Sequence, residues 1–308
     1  MPPMTERTGK RVVYLASAIL APIAVLCIAA APLLFEKRAG VPVLVVGPAL
    51  DAIAGWLRGL GDGSAFEYRF GATAWSFFDI APHFFAVSFL YVASAGSVGL
   101  AGGMALGLSL RGRAAAAVSS FLGSLYAIPD FISAILLQLA TIAILDATGF
   151  KIGRISHDAA SEAFLLLPFL LLTVYPLAFA FKTTLRKSMD AEREPYAVFA
   201  LSKGLSKRTV RLRHIGAAVV PALSAELPTL LGIMQANLFM AEYIFALPGI
   251  TRFLFQVAFS GRRPGWIEEY QYSLAVSVLL GVMLLYLAAW GFFRLALYAV
   301  RRALTGER

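Results

Sequence analysis

Ile80-Ala-Pro-His-Phe-Phe-Ala-Val-Ser-Phe-Leu-Tyr-Val-Ala-Ser-Ala-Gly-Ser-Val-Gly-Leu-Ala-Gly-Gly-Met-Ala-Leu-Gly-Leu-Ser-Leu110 contains no Asp, Glu, Lys or Arg. Lipid offers no partner to an exposed N–H or C=O, so a run of about 20 apolar residues is stable there only as a helix. This run is long enough to cross a bilayer. Working outward, Val12–Phe35, Ala114–Leu145, Ala163–Phe181, Gly216–Ala241 and Tyr270–Phe293 read the same way. The third holds Asp130 and a Pro129 that kinks or interrupts it, and the fifth holds Glu226. Val12–Phe35 is longer than a signal-peptide core and lacks a small-residue cleavage site, so it is expected to stay as an anchor. The prediction is an all-α membrane protein with six transmembrane helices. Composition agrees: 59% of the 308 residues are hydrophobic and 15% charged, against roughly 45–50% and about 25% in soluble domains. Cys27, inside an apolar run, reads as a small buried hydrophobe.

A net charge of +9 suggests nucleic acid until its distribution is examined. With both termini placed in the cytoplasm, 18 of the 27 Lys and Arg but only five of the 18 acids fall on the inner side. That is the positive-inside bias of a membrane protein, and it needs no nucleic acid to explain it. The expected organisation is a cytoplasmic tail 1–11, a first span 12–35 and an extracytoplasmic cap segment 36–82. A transmembrane body 80–302 follows, with a large cytoplasmic loop 182–214 and a tail 303–308. No internal repeat is visible, which disfavours inverted-repeat transporters.

The inner loop carries the most local information. Pro195 follows Asp190, Glu192 and Glu194, and both proline and acids are favoured in a first helical turn. Tyr196, Phe199, Ala200 and Lys203 share a helix face with a basic end. Gly204 suits the residue after the helix, and Ser206 suits the cap of the next, which runs through Lys207–Arg213 into the fifth span. Two readings fit: an amphipathic elbow on lipid headgroups, or a docking element for a cytoplasmic partner, with Ala200 and Gly204 permitting close backbone approach.

Glu194-Pro-Tyr-Ala-Val-Phe-Ala-Leu-Ser-Lys-Gly-Leu-Ser, then Arg213-His214 and Pro221, resembles the cytoplasmic loop signature of ABC-importer permeases of the peptide/nickel branch. Ser124-Leu-Tyr-Ala-Ile-Pro-Asp-Phe is similar to that branch's third-span motif, and Ala241-Glu-Tyr-Ile-Phe-Ala-Leu-Pro-Gly-Ile to its segment after the fifth. Trp56-Leu-Arg-Gly-Leu-Gly-Asp-Gly resembles the outer region of the first of its two permeases. The chain departs from the family in two places. Val198-Phe199-Ala200 stands for the superfamily's Glu-Ala-Ala, and Leu34-Phe-Glu-Lys-Arg-Ala-Gly stands where Pro-Gly-Asp-Pro is usual. The resemblance implies a type I ABC-importer permease architecture in the inner membrane of a prokaryote. The implied partners are a second permease, two ATP-binding subunits and an extracytoplasmic solute-binding protein. ATP and Mg would sit on the ATPases, with no cofactor or metal on this chain. Glu194, Tyr196, Phe199, Ala200, Lys203 and Gly204 would couple to an ATPase, and Arg252, Arg262 and Arg263 would meet the outer partner.

The chain has no Gly-x-x-x-x-Gly-Lys-Ser/Thr phosphate loop, no metal-ligand spacing and no catalytic triad, so a non-catalytic subunit is expected. His83, His157 and His214 are scattered and read as capping or interfacial residues. Polar residues within spans are costly and are therefore candidates for function. Gln138, Gln235 and Asn237 either bond across helices or line a path for a peptide or other small polar solute. The alternative is a stand-alone, gradient-driven transporter or channel using Asp130, Glu226 and Glu242. The branch that the chain resembles handles dipeptides, oligopeptides, nickel chelates and some sugars.

Overall fold

The computed structural model describes residues 16, 19–38, 41–70, 73–149, 165–258 and 269–306. In chain order, helix α1 (residues 19–30) ends in a 3-10 turn, Ala31–Leu34. A hairpin β1 (Phe35–Arg38) and β2 (Val41–Leu44), helix α2 (Gly47–Gly59) and a hairpin β3 (Glu67–Phe70) and β4 (Thr73–Ser76) follow. Then come α3 (Phe77–Ser109), α4 (Gly112–Ala127), α5 (Asp130–Thr148), α6 (Leu166–Ala191) and the short α7 (Pro195–Ser202). The next helix begins as α8 (Lys207–Thr209), passes through a π-helical Val210–Ile215 and continues as α9 (Gly216–Ile244). It is followed by α10 (Ile250–Ala258) and α11 (Tyr272–Thr305).

Among the described residues, five helices are long and apolar enough to cross a membrane: α3, α5, α6, the continuous Lys207–Ile244 and α11. The protein is therefore a predominantly helical, multi-pass membrane protein. Part of the expected first span, Val12–Phe35, lies outside the described residues, and its described part, Ile19–Leu34, is apolar but short. The expected third span, Ala114–Leu145, is two helices, not one. Ile128 is extended at φ −80°, ψ 127°, because Pro129 disfavours helical geometry in the residue before it and brings no N–H of its own.

The chain forms two compact units. The first comprises the residues up to Phe84 with Phe253–Leu284. Here the residues at the start of α11 tie down α1 and the β3 strand. The Gln271 Nε2 donates to the Arg69 carbonyl and its Oε1 accepts from the Arg69 N–H, both at 2.6 Å. Tyr270 and Tyr272 hydroxyls donate to the Ala29 and Leu26 carbonyls of α1. The two hairpins are the part of the expected cap that composition alone did not disclose.

The second unit comprises Phe85–Arg252 with Leu285–Arg308. Its centre is α6, packed on α3, α4, α5 and α9. Gly99, Gly103 and Gly107 form one seam of α3. A methyl on each would stand 2.7 Å from Pro176 Cγ, the Phe181 backbone nitrogen and Thr184 Cβ respectively. The α6 backbone therefore lies directly on α3. In lipid, where apolar burial gives helices little reason to associate, such small-residue contact supplies the packing.

Candidate functional site

The loop 182–214 is built as a clamped elbow. Glu194 is the N-cap of α7 and Pro195 its first residue. The helix ends when the Leu205 N–H reaches the Ala200 carbonyl at 3.4 Å and the Gly204 N–H reaches Leu201 at 2.9 Å. Gly204 takes φ +83° to close this turn, a conformation that costs glycine little. The Ser206 side chain accepts from the Thr209 N–H at 3.1 Å and caps α8. These limits agree with those expected from the residues.

Which face is open differs from expectation. Ala197 and Ala200 are buried, α7 packing on the π-helical Val210–Ile215, so Ala200's small side chain admits the protein's own turn. Tyr196, Val198, Phe199 and Leu201 are exposed, Phe199 at 61%, and Lys203 Nζ stands 4.5 Å from the Phe199 ring centroid. These side chains form an exposed apolar patch on a helix of eight residues, with Glu194 at its start and Lys203 at its end.

Glu192 holds the base of the elbow. Its Oε1 accepts from Arg111 Nη2 and from Arg211 Nε, both at 2.8 Å. Arg111 also donates to the Gly107 and Leu110 carbonyls and to Ser188 Oγ. One carboxylate thus joins the ends of α3 and α6 to the start of the Lys207–Ile244 helix. Burial raises the Glu192 carboxyl, and Arg111 and then Arg211 outweigh it, holding the group below its ordinary value. Of the acids expected in the first turn beside Pro195, Glu192 serves this pair instead, and no acid lies in the first turn of α7.

At the other end of α9, Glu242 is wholly buried. It accepts from Ser88 Oγ at 2.5 Å, from Thr251 N–H and Oγ1 at 2.9 and 2.5 Å, and from the Arg252 N–H at 3.0 Å. This satisfied carboxylate fastens the start of α10 to α3 and α9. Arg252, expected at the outer partner face, is half-buried, and its guanidinium donates to the Ala246 and Leu247 carbonyls of its own turn. Arg262 and Arg263 lie outside the described residues.

The three amides do not share one wall. Asn237 is buried between α9 and α5; with its nitrogen turned to Asp130 it donates to Oδ2 at 2.6 Å and to the Ile233 carbonyl at 3.1 Å. Gln235 borders a small cavity with Val92, Leu231 and Tyr286. Gln138 is half-buried on α5. The juxtaposition the sequence did not offer is Asp130 with Asn237. Glu226 is partly exposed, accepts from Thr183 Oγ1 at 3.3 Å and pairs with Arg186 at 3.6 Å. Among the described residues no group of His, Cys, Asp and Glu is arranged to hold a metal.

Compared with known proteins, the chain matches no family model, and no curated protein matches it.

Proposed function

We propose that the chain is a permease subunit of an ATP-driven ABC importer in the inner membrane of a prokaryote. In this reading it has six spans and cytoplasmic termini, and forms with a second permease the path for a peptide or related small polar solute. The observation that carries the reading is the exposed apolar patch of α7 on a clamped elbow. Tyr196, Val198, Phe199 and Leu201 face outward, beside a Glu192 carboxylate that ties three helix ends together. A partner holding α7 moves those ends as one body, and an ATPase that binds the two resulting states unequally shifts the balance between them. The ordered sequence resemblance gives that partner its identity, and the basic inner loops give α7 its side of the membrane.

The test is Phe199→Glu, expressed in the native host and compared with the wild type for ATP-binding subunits that co-purify. The variant should insert at wild-type level, lose its bound ATPase subunits and stop uptake. Full ATPase retention by the variant would remove α7 from the interface and return it to a lipid-facing elbow.

A further inference from the structure

Where Pro129 separates α4 from α5, the two helices part and leave a cleft of about 310 Å³ against α6. Its walls are apolar, with Leu125, Leu137 and Leu170 among them, and Tyr126, Tyr175 and Asp130 supply polar groups. Small-molecule sites run from roughly 300 to 1,000 Å³ and have this make-up, an apolar lining with a few placed polar groups.

Among the described residues, Asp130 is the only carboxylate or basic side chain in that lining. A carboxylate among membrane-spanning helices is expensive and is normally paired or functional. Its pairing here is partial. Asn237, a neutral donor, is bonded to Oδ2, and among the described residues no group is bonded to Oδ1. Because Asn237 also donates to Ile233, the amide is fixed and fixes the carboxylate in turn. Lys182 is exposed, with Nζ 6.0 Å from the Tyr126 ring centroid, and is not part of the lining.

These features specify the occupant by charge and by wall chemistry. The negative group asks for a cation. A metal ion would need more hard oxygen ligands than one carboxylate, and the leucine walls would not replace its water. An organic ammonium satisfies both halves. Its N–H groups meet the carboxylate, and the tilted rings of Tyr126 and Tyr175, 5.2 Å apart, offer faces to the adjoining carbon. We propose that the cleft between α4–α5 and α6 binds an organic ammonium ion carrying an apolar arm, with Asp130 as its counter-ion and Asn237 as the residue that positions Asp130. The site is defined by its lining and holds whether or not ATPases drive the protein, so binding tests it separately from transport.

The experiment uses the purified full chain in lipid nanodiscs and equilibrium binding of radiolabelled phenethylamine, with N-acetylphenethylamine as the uncharged counterpart. The amine should bind at least about tenfold more tightly than its acetylated form, the factor a single charge-assisted contact supplies. Asp130→Asn, which keeps an oxygen for Asn237, should erase that preference. Ala140→Trp fills the cleft from its wall and leaves Asp130 in place, and should weaken both ligands by about tenfold or more. Equal affinity for amine and amide, undiminished binding in either variant, or no binding of the amine by the wild type would overturn the proposal.

Discussion

Two short turns show how single residues set this molecule. Helices α7 and α9 end with the same pair of hydrogen bonds. In α9 the Leu247 N–H reaches Glu242 at 3.0 Å and the Ala246 N–H reaches Tyr243 at 3.4 Å. Gly204 holds the left-handed position in the first turn, but Ala246 holds it in the second, at φ +54°. A side chain there costs about 1 kcal/mol, so Ala246→Gly should raise the thermal unfolding temperature in detergent. Gly249 is the opposite case, since a methyl on it would fall on the Glu242 carboxylate. Gly249→Ala should destabilise by about 1–3 kcal/mol, read in the same melt. Glu192 adds a pH dependence. Its folded-state value lies below the ordinary 4.5, so its contribution is present above that value and is lost as pH falls through the depressed one. Glu192→Gln should flatten the stability–pH curve below about pH 4.5, where the wild type declines.

Among the elements, those whose limits rest on adjacent residues were legible. Pro195, Gly204 and Ser206 bound α7 and start α8 because each acts on its own backbone, and Pro129 broke the third span for the same reason. The clamp was not legible. Glu192 meets Arg111 and Arg211 from 81 and 19 residues away, and nothing in the order of residues couples them. Nor did spacing disclose that Ala200 turns inward, or that Asn237 meets Asp130, because both depend on how α7 and α9 lie on their neighbours. At this scale the α3–α6 seam gives one prediction: Gly103→Leu should reduce the folded yield in membranes, measured by fluorescence-detected size exclusion, because no flexible end yields to it. The elbow gives another. No atom crowds a Cβ at Gly204, so Gly204→Val acts through its backbone alone. It should leave insertion intact and separate ATP hydrolysis from uptake, measured in proteoliposomes.

For the whole molecule, five apolar helices of crossing length among the described residues and a satisfied, wholly buried Glu242 belong together. Asp130, Glu226 and Glu242 were the acids expected of a gradient-driven mechanism; Glu226 and Glu242 have structural partners within the fold, and Asp130 is bonded by Asn237 through one oxygen. The exposed apolar residues of α7 are the surface on which the proposed ATPase would act. Whether this chain is one part of an ATP-driven assembly is read by capturing it from native membranes in mild detergent and identifying the bound proteins by mass spectrometry. Two ATP-binding subunits and a second six-span permease should be recovered with it. A chain recovered alone or only with copies of itself, without an ATPase at any salt concentration, would contradict the proposal.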